Sequence, residues 1–426
     1  MNKKIKISND LKELQRLLNV ELYVVGGYVR NSLLNLPNYD IDIASSLPVE
    51  EIFNKLNGTR FLVKLRSAKM GTVEIFTANE VYQHTTFRSD VYGDNGKHNP
   101  LTTQFVLSWQ EDAKRRDFTI NALYLSVNNG KVYDNFTGLA DLENKTIKCV
   151  GQSEKVFSED GLRLLRLVRF ASELNFSINE ETKESAIKYC KNLKDISGER
   201  KKKELQEILN CKNKYGIGLR PLDAVKLLFE LKLIQNIFSI KGIKWEFDES
   251  CFSALNNVKR SDEYLFCFLL CLFNFASKQG NISFEDFVSA VSNKTALNFS
   301  RAEVQEFSKL LKAFHFSTQI SNVRKFIFKN YMVFEKLCNI LECFERCDLV
   351  SSLKQEQMLM KKQKVPLKIK DLAINGNDLL TIDKINKKNI GKYLEKLLRI
   401  CLYNPSLNNK KSLLCEVDKL IVLNNV

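Results

Sequence analysis

From Leu11 to Val20 apolar residues return at every third or fourth position, the period of a short amphipathic helix. Leu22 to Val25 is an apolar run ending on Gly26-Gly27, which predicts a strand that closes in a turn. Helical spacing resumes through Leu34, and Pro37-Asn38 interrupts it. Tyr39 to Ala44 then alternates with period two, which puts Tyr39, Ile41 and Ile43 on a core face and Asp40 and Asp42 on the opposite face. Strand patterns follow at Val73 to Thr77, Thr119 to Val127 and Lys131 to Tyr133, the last two joined by the hairpin signal Asn128-Asn129-Gly130. A mixed sheet is therefore expected up to about Gly151.

Beyond Ser158 the period changes to that of helices almost throughout: 159–174, 181–194, 198–209, 222–238, 252–275, 284–291, 301–314 and 322–347. Pro221, Pro366 and Pro405 fall between these segments, where a missing backbone N–H is tolerated. Linkers are expected near 212–221, 361–370 and 404–411. The most apolar stretch, Tyr264 to Ala276, is shorter than the roughly 20 residues that span a bilayer and predicts a buried helix. No membrane segment is expected.

The chain has 426 residues, enough for two or three domains with cores that need no disulfide staples. Lys and Arg number 65 against 50 Asp and Glu, a net charge of +15 that favours a polyanionic partner such as nucleic acid or an acidic membrane surface. The general abundance of Lys and Asn accounts for the same surplus equally well. The 11 cysteines form no CxxC pair, and Cys267/Cys271 and Cys343/Cys347 lie one helical turn apart in apolar sequence. Core packing in a reducing cytoplasm is the expectation, with no zinc site. His84, His98 and His315 have no Asp beside them and are expected to be structural or solvated.

Four constellations carry candidate chemistry. Gly26-Gly27-Tyr28-Val29-Arg30 sets a glycine pair between strand and helix, where backbone N–H groups can approach a phosphate and Arg30 adds charge. Asp40-Ile41-Asp42 places two carboxylates on one strand face, a spacing suited to divalent ions and equally to a solvated face. Glu111 to Ala122 gathers Arg115 and Arg116 beside Asp117 and Asn121. The helix Glu159-Asp160-Gly161-Leu162-Arg163-Leu164-Leu165-Arg166 has Asp160 and Arg163 three apart, as base-reading groups or as a simple ion pair.

Taken in order, GGxVR, DxD, RRDFTINA and EDGLRxLRxxRFA resemble the class II tRNA nucleotidyltransferases, the CCA-adding enzymes, and their relatives the bacterial poly(A) polymerases. The resemblance continues through Asp134 to Leu142, Ile196-Ser197-Gly198-Glu199-Arg200 with Glu204-Leu205, and Ile369 to Leu380. It implies an α+β chain: a nucleotidyltransferase head of the polymerase-beta type with a mixed sheet (1–150), then an all-helical neck (151–215), body (216–350) and tail (351–426). It implies Asp40 and Asp42 as catalytic, metal-holding acids with Mg2+, and Gly26, Gly27 and Arg30 toward the triphosphate. Arg115, Arg116, Asp117 and Asn121 are implied at ribose and phosphate, and Glu159, Asp160, Arg163 and Arg166 at the nucleotide. The implied reaction adds C, C and A to the tRNA 3′ end from CTP and ATP, with poly(A) addition, CC-only or A-only addition, or an inactive RNA-binding relative as alternatives. The tail would meet tRNA, basic runs such as 200–203 suit tRNA phosphates and a solvated helix face equally, and the oligomeric state is left open.

Three departures accompany the resemblance. Asn31 stands where the family usually has Asp, a change that can keep a hydrogen bond. Gln83 stands where an acid usually precedes Thr85-Thr86-Phe87-Arg88, leaving Asp40 and Asp42 to hold metal unless Glu74 or Glu80 substitutes. The segment 85–104 resembles the loop associated with the change from C to A addition, but its basic part reads Gly96-Lys97-His98-Asn99-Pro100.

Overall fold

The computed structural model describes residues 5–91, 100–280, 282–382 and 384–423. The expected altered basic segment, including His98, thus lies outside the described residues except for Pro100. The chain packs as two compact units. The first comprises Met1–Asn256, Leu272–Ile282 and Ser289–Phe299, and the second Asn257–Cys271, Ser283–Val288 and Ser300–Val426.

In the first unit α1 (Asn9–Leu18) buries Leu11, Leu14 and Leu18, and Ser8 caps it by accepting from the Leu11 N–H at 3.2 Å. β1 (Tyr23–Val25) is buried along its length because it is flanked on both sides, and α2 (Gly27–Leu34) leaves its end. β2 (Ile41–Ser45), α3 (Val49–Leu56), β3 (Leu62–Ser67), β4 (Thr72–Phe76) and β5 (Val81–Thr86) follow. A hairpin of β6 (Arg88–Val91) and β7 (Thr102–Phe105) precedes α4 (Trp109–Lys114), and β8 (Leu123–Ser126) and β9 (Val132–Asp134) complete the sheet. The seven strands lie in the order β3-β4-β5-β2-β1-β8-β9, with only β2 and β5 parallel. The expected mixed sheet is present, and two of its strands, β3 and β5, lack a clean alternating pattern in sequence.

Thr119 to Val127 is not one strand. Thr119–Asn121 forms a 3-10 turn, fixed by the Asn121 N–H on Phe118 O (2.9 Å) and by Thr119 Oγ1 on Asp141 Oδ2 (2.7 Å), and extension begins only at Leu123. This turn puts Asn121 beside α2 rather than in the sheet. Tyr39 is also out of place: Ile43 is fully buried as expected, but Tyr39 precedes β2 and is 67% exposed.

After α5 (Gly138–Glu143) the first unit is mainly helical. α6 (Ser153–Glu159) and α7 (Leu162–Leu174) meet at a corner, and α8 (Glu180–Lys188), α9 (Gly198–Leu209) and α10 (Cys211–Tyr215) pack around α7 or α6. The expected continuous helix from Glu159 is therefore two helices that break at Asp160-Gly161. The expected helices 181–194, 222–238, 252–275 and 322–347 are likewise interrupted, each being divided among shorter helices or 3-10 turns.

The apolar stretch at Tyr264 begins a helix whose Cys267 to Leu272 are fully buried. In the second unit a core of Ile374, Leu379, Leu397, Cys401, Leu413 and Val417 closes the C-terminal segment. All 11 cysteines are free thiols, buried except for Cys347 and Cys415. No helix among the described residues is long and apolar enough to cross a membrane.

Candidate active site

Gly26 links β1 to α2 at φ +69°, a conformation that favours glycine. A Cβ built on it would lie 3.5 Å from Arg116 Nη1 and 3.8 Å from Asp42 Oδ2. The strand end, the carboxylate and the guanidinium thus converge on one small region, though they are separated by many residues in sequence. Asp42 opens to solvent within this recess. Enclosure by protein raises its carboxyl above the ordinary value, Arg116 draws it back, and the like charge of Asp40 pushes it further up. Two acids whose mutual repulsion a cation would relieve are a fitting oxygen-donor set for a divalent ion.

Beside Asp42 in sheet register stands Gln83, and Glu74 lies one strand further on, opposite Gln83. Glu74 is buried and held by Arg66, while Glu80 accepts from the Tyr82 hydroxyl. Neither acid occupies the place next to Asp42. Among the described residues no group of three His, Cys, Asp or Glu side chains forms a ready metal cage.

Arg116 is held in place by Asp112, which sequence reading passed over. Asp112 is fully buried and accepts from Arg115 Nε (2.9 Å), Arg116 Nη2 (3.3 Å), the Arg88 N–H (3.1 Å) and the Tyr124 hydroxyl. Burial would raise its carboxyl, but Arg115 and Arg116 outweigh that and hold it low. Arg116 Nε also donates to the Tyr124 hydroxyl at 2.8 Å, with its guanidinium 4.9 Å from that ring. The spacing of Arg115 and Arg116, three and four residues after Asp112 at the end of α4, was the available signal.

Asp117 is buried and accepts from Arg166 Nε at 2.7 Å and from the Phe118 N–H at 2.8 Å, with Asn121 Nδ2 at 3.3 Å. Burial opposes its ionisation, yet the Arg166 pair brings the carboxyl down to about 2. Asn121 Oδ1 in turn accepts from Arg30 Nη1 at 2.7 Å. Arg30 is 3% exposed, lies 5.1 Å from the Phe170 ring and donates to Asn31 Oδ1 through Nε (3.0 Å) and Nη2 (2.8 Å). The expectation that Arg30 faces the triphosphate meets a guanidinium turned inward; it ties α2 to Asn121. Asn31 does keep hydrogen bonds, accepting from Arg30 and donating to Pro37 O (3.0 Å) and the Tyr215 hydroxyl (3.2 Å).

At the α6–α7 corner a Cβ on Gly161 would fall 2.4 Å from Asn192 O, so glycine is needed for the close approach that places Asp160 and Arg163. Both are buried. Asp160 Oδ1 accepts from the Leu162 N–H at 2.9 Å, and its other oxygen is 4.0 Å from Arg163 Nε. Arg163 donates to Val156 O (3.1 Å), Glu159 Oε2 (3.2 Å) and the Arg115 carbonyl (2.9 Å). Through that last bond the corner is joined to the Arg115–Arg116 segment. Glu159 and Arg115 also line a cleft of about 500 Å³ with Asp90, Lys114 and Lys155.

Comparison with known proteins gives the chain's relatives. Residues 22–148 match the family described as the poly A polymerase head domain, and 175–243 match that described as the probable RNA and SrmB-binding site of polymerase A. A CCA-adding enzyme of Lactobacillus johnsonii is 30% identical over 409 residues, 95% of this chain and 94% of that one. One from Streptococcus thermophilus is 43% identical over 207 residues, so there the match spans 48% of this chain and half the length of the relative. Among solved structures, the Bacillus stearothermophilus CCA-adding enzyme in complex with CTP is similar at TM-score 0.75 and 23% identity, over 97% of this chain and 98% of that one. The Thermotoga maritima CCA-adding enzyme complexed with tRNA gives 0.63 and 21%, over 97% and 96%.

Proposed function

The chain belongs to the family of CCA-adding enzymes, and from that membership we propose that it adds C, C and A to the 3′ end of tRNA from CTP and ATP. The observation that carries the reading is the meeting of Gly26, Asp42 and Arg116, with Cβ-free backbone and a guanidinium gathered at an open acid. In the reaction the RNA 3′-hydroxyl attacks the α-phosphate of the nucleotide and pyrophosphate leaves. Asp40 and Asp42 would hold the divalent ion, taken as Mg2+, which when bound neutralises the triphosphate and lowers the pKa of the attacking hydroxyl. Gly26 and Gly27 leave room for the triphosphate at the start of α2, and Arg116 offers it a charge kept in place by Asp112. Arg30, Asn121 and Asp117 form a buried chain, ended by the half-buried Arg166, that orients the ribose side of the cleft.

The base is read by Asp160 and Arg163, with Glu159 holding the arginine. Cytosine and adenine both present an amino donor beside an unprotonated ring nitrogen. An ionised Asp only accepts and Arg only donates, so this pair suits those two bases and opposes uracil and guanine. Because Arg163 donates to Val156, Glu159 and Arg115 in this state, reading a base exchanges internal bonds for bonds to the nucleotide. Positions 1–150, 151–215, 216–350 and 351–426 are assigned as head, neck, body and tail, and the free thiols are in keeping with a cytoplasmic enzyme.

One experiment separates this from poly(A), CC-only or A-only addition and from an inactive RNA binder. Purified protein is incubated with tRNAs ending before, within and after CCA, with each nucleotide supplied singly, and the 3′ ends are sequenced. Addition that stops at CCA is expected; extended A tracts, or no addition, would overturn the reading.

A further inference from the structure

Tyr39 is a large aromatic side chain that the alternation of β2 would place in the core, yet it is 67% exposed. It is not loose. Its hydroxyl donates to the Lys214 carbonyl at 3.2 Å, and its ring lies against that of Tyr215 at 6.5 Å between centroids and 28° between planes. Tyr215 is anchored in turn, accepting at its hydroxyl from Asn31 Nδ2 (3.2 Å) and Arg30 Nη2 (3.4 Å). An exposed ring is thus fixed at its tip and backed by a second ring, and it is the chain neighbour of Asp40.

We infer that Tyr39, backed by Tyr215, is the platform on which the base of the RNA's 3′-terminal nucleotide stacks. The inference rests on the proposed nucleotide addition: the attacking hydroxyl must lie beside Asp40 and Asp42, so the base on that same ribose lies within reach of the adjoining residue. Stacking on a ring serves every base alike, which suits a primer whose last residue changes with each cycle. The incoming base has its own readers in Asp160 and Arg163, so the free ring next to Asp40 is left for the primer.

The test uses full-length enzyme and two RNAs: a tRNA lacking CCA, and the same tRNA whose terminal nucleotide has lost its base but keeps the 3′-hydroxyl. In the unaltered enzyme, loss of the base should raise the RNA KM about tenfold or more, the usual worth of one stacked base. Tyr39→Ala should raise it similarly for the intact tRNA and show little further loss with the abasic one, with the CTP KM unchanged. Tyr39→Trp should restore RNA binding, and Tyr39→Phe, which keeps the ring without its anchor, should fall between. Melting curves identify a variant that has merely unfolded, and Tyr39→Trp then carries the test. Equal abasic penalties in Tyr39→Ala and unaltered enzyme, or a rise in CTP KM instead, would overturn the platform. Failure of the unaltered enzyme to extend either RNA would overturn the nucleotide-addition reading itself, a separate and distinguishable result.

Discussion

The acids at the start of β2 and the Asp160–Arg163 pair at the α6–α7 corner occupy opposite physical regimes. Asp42 is exposed, and its carboxyl is raised by enclosure, with Arg116 only partly offsetting that rise and Asp40 adding to it. Asp160 and Arg163 are each about 5% exposed, and their polar atoms are engaged by backbone and by Glu159. The contrast teaches that the reacting end of the site is built to be completed from outside, while the reading end is built to hold its shape. Stability and activity should therefore respond oppositely to substitution at the two places.

The largest effect is expected at the open end. Asp42→Ala should reduce nucleotide addition by about a thousandfold or more, since metal-assisted phosphoryl transfer is worth several kcal/mol. It should leave the melting temperature unchanged or slightly higher, and tRNA binding nearly intact; activity within tenfold of the parent would break the comparison. Next comes the buried support. Asp117→Asn leaves Arg166 without its ion-pair partner and should destabilise the fold by about 3 kcal/mol at pH 7, measured by urea unfolding. Because the native Asp117 carboxyl lies near 2, below its unfolded value, its stabilisation is complete above about pH 4 and is lost as pH falls toward 2. The stability gap between parent and variant should close over that window.

A smaller effect is expected at the reading end. Asp160→Ala should loosen discrimination against UTP and GTP by about tenfold or more, with some incorporation remaining and a loss of about 1 kcal/mol from the missing hydrogen bond to the Leu162 N–H. Strict CTP and ATP preference in that variant would make the pair structural only. The smallest is Gln83→Glu, which sets an acid in register beside Asp42 and should lower the Mg2+ concentration for half-maximal rate by a few-fold. No change in metal dependence would show that position 83 does not face the ion.

Much of this was legible in the sequence because the signals are local. The period-two run at β2, the Gly26-Gly27 break after an apolar strand and the helical period beyond Ser158 each follow from neighbouring residues, whereas of the two acids only Asp42 lies within β2 and Asp40 precedes it. Edge strand β3 was illegible because little of it is buried, so no alternating core face was imposed on it. The 3-10 turn at Thr119 was missed because its Thr and Ile residues favour strands, while its bond to Asp141 comes from 22 positions away.

What the sequence alone determined is the set of chemical groups and the local elements that carry them: paired acids on a strand, glycines at a turn, arginines after α4, an acid and an arginine flanking Gly161. Only the tertiary structure decided which of these stay open and which are consumed internally. Arg30 and Arg116 look alike in sequence as basic residues near glycine or acid, yet one is turned inward onto Asn31 and Asn121 while the other faces Gly26 and Asp42. Tyr39 reads as core and is exposed. The physical reason is that burial and pairing depend on partners 91 to 185 positions distant, such as Asn121 and Tyr215, whose arrival no local period encodes.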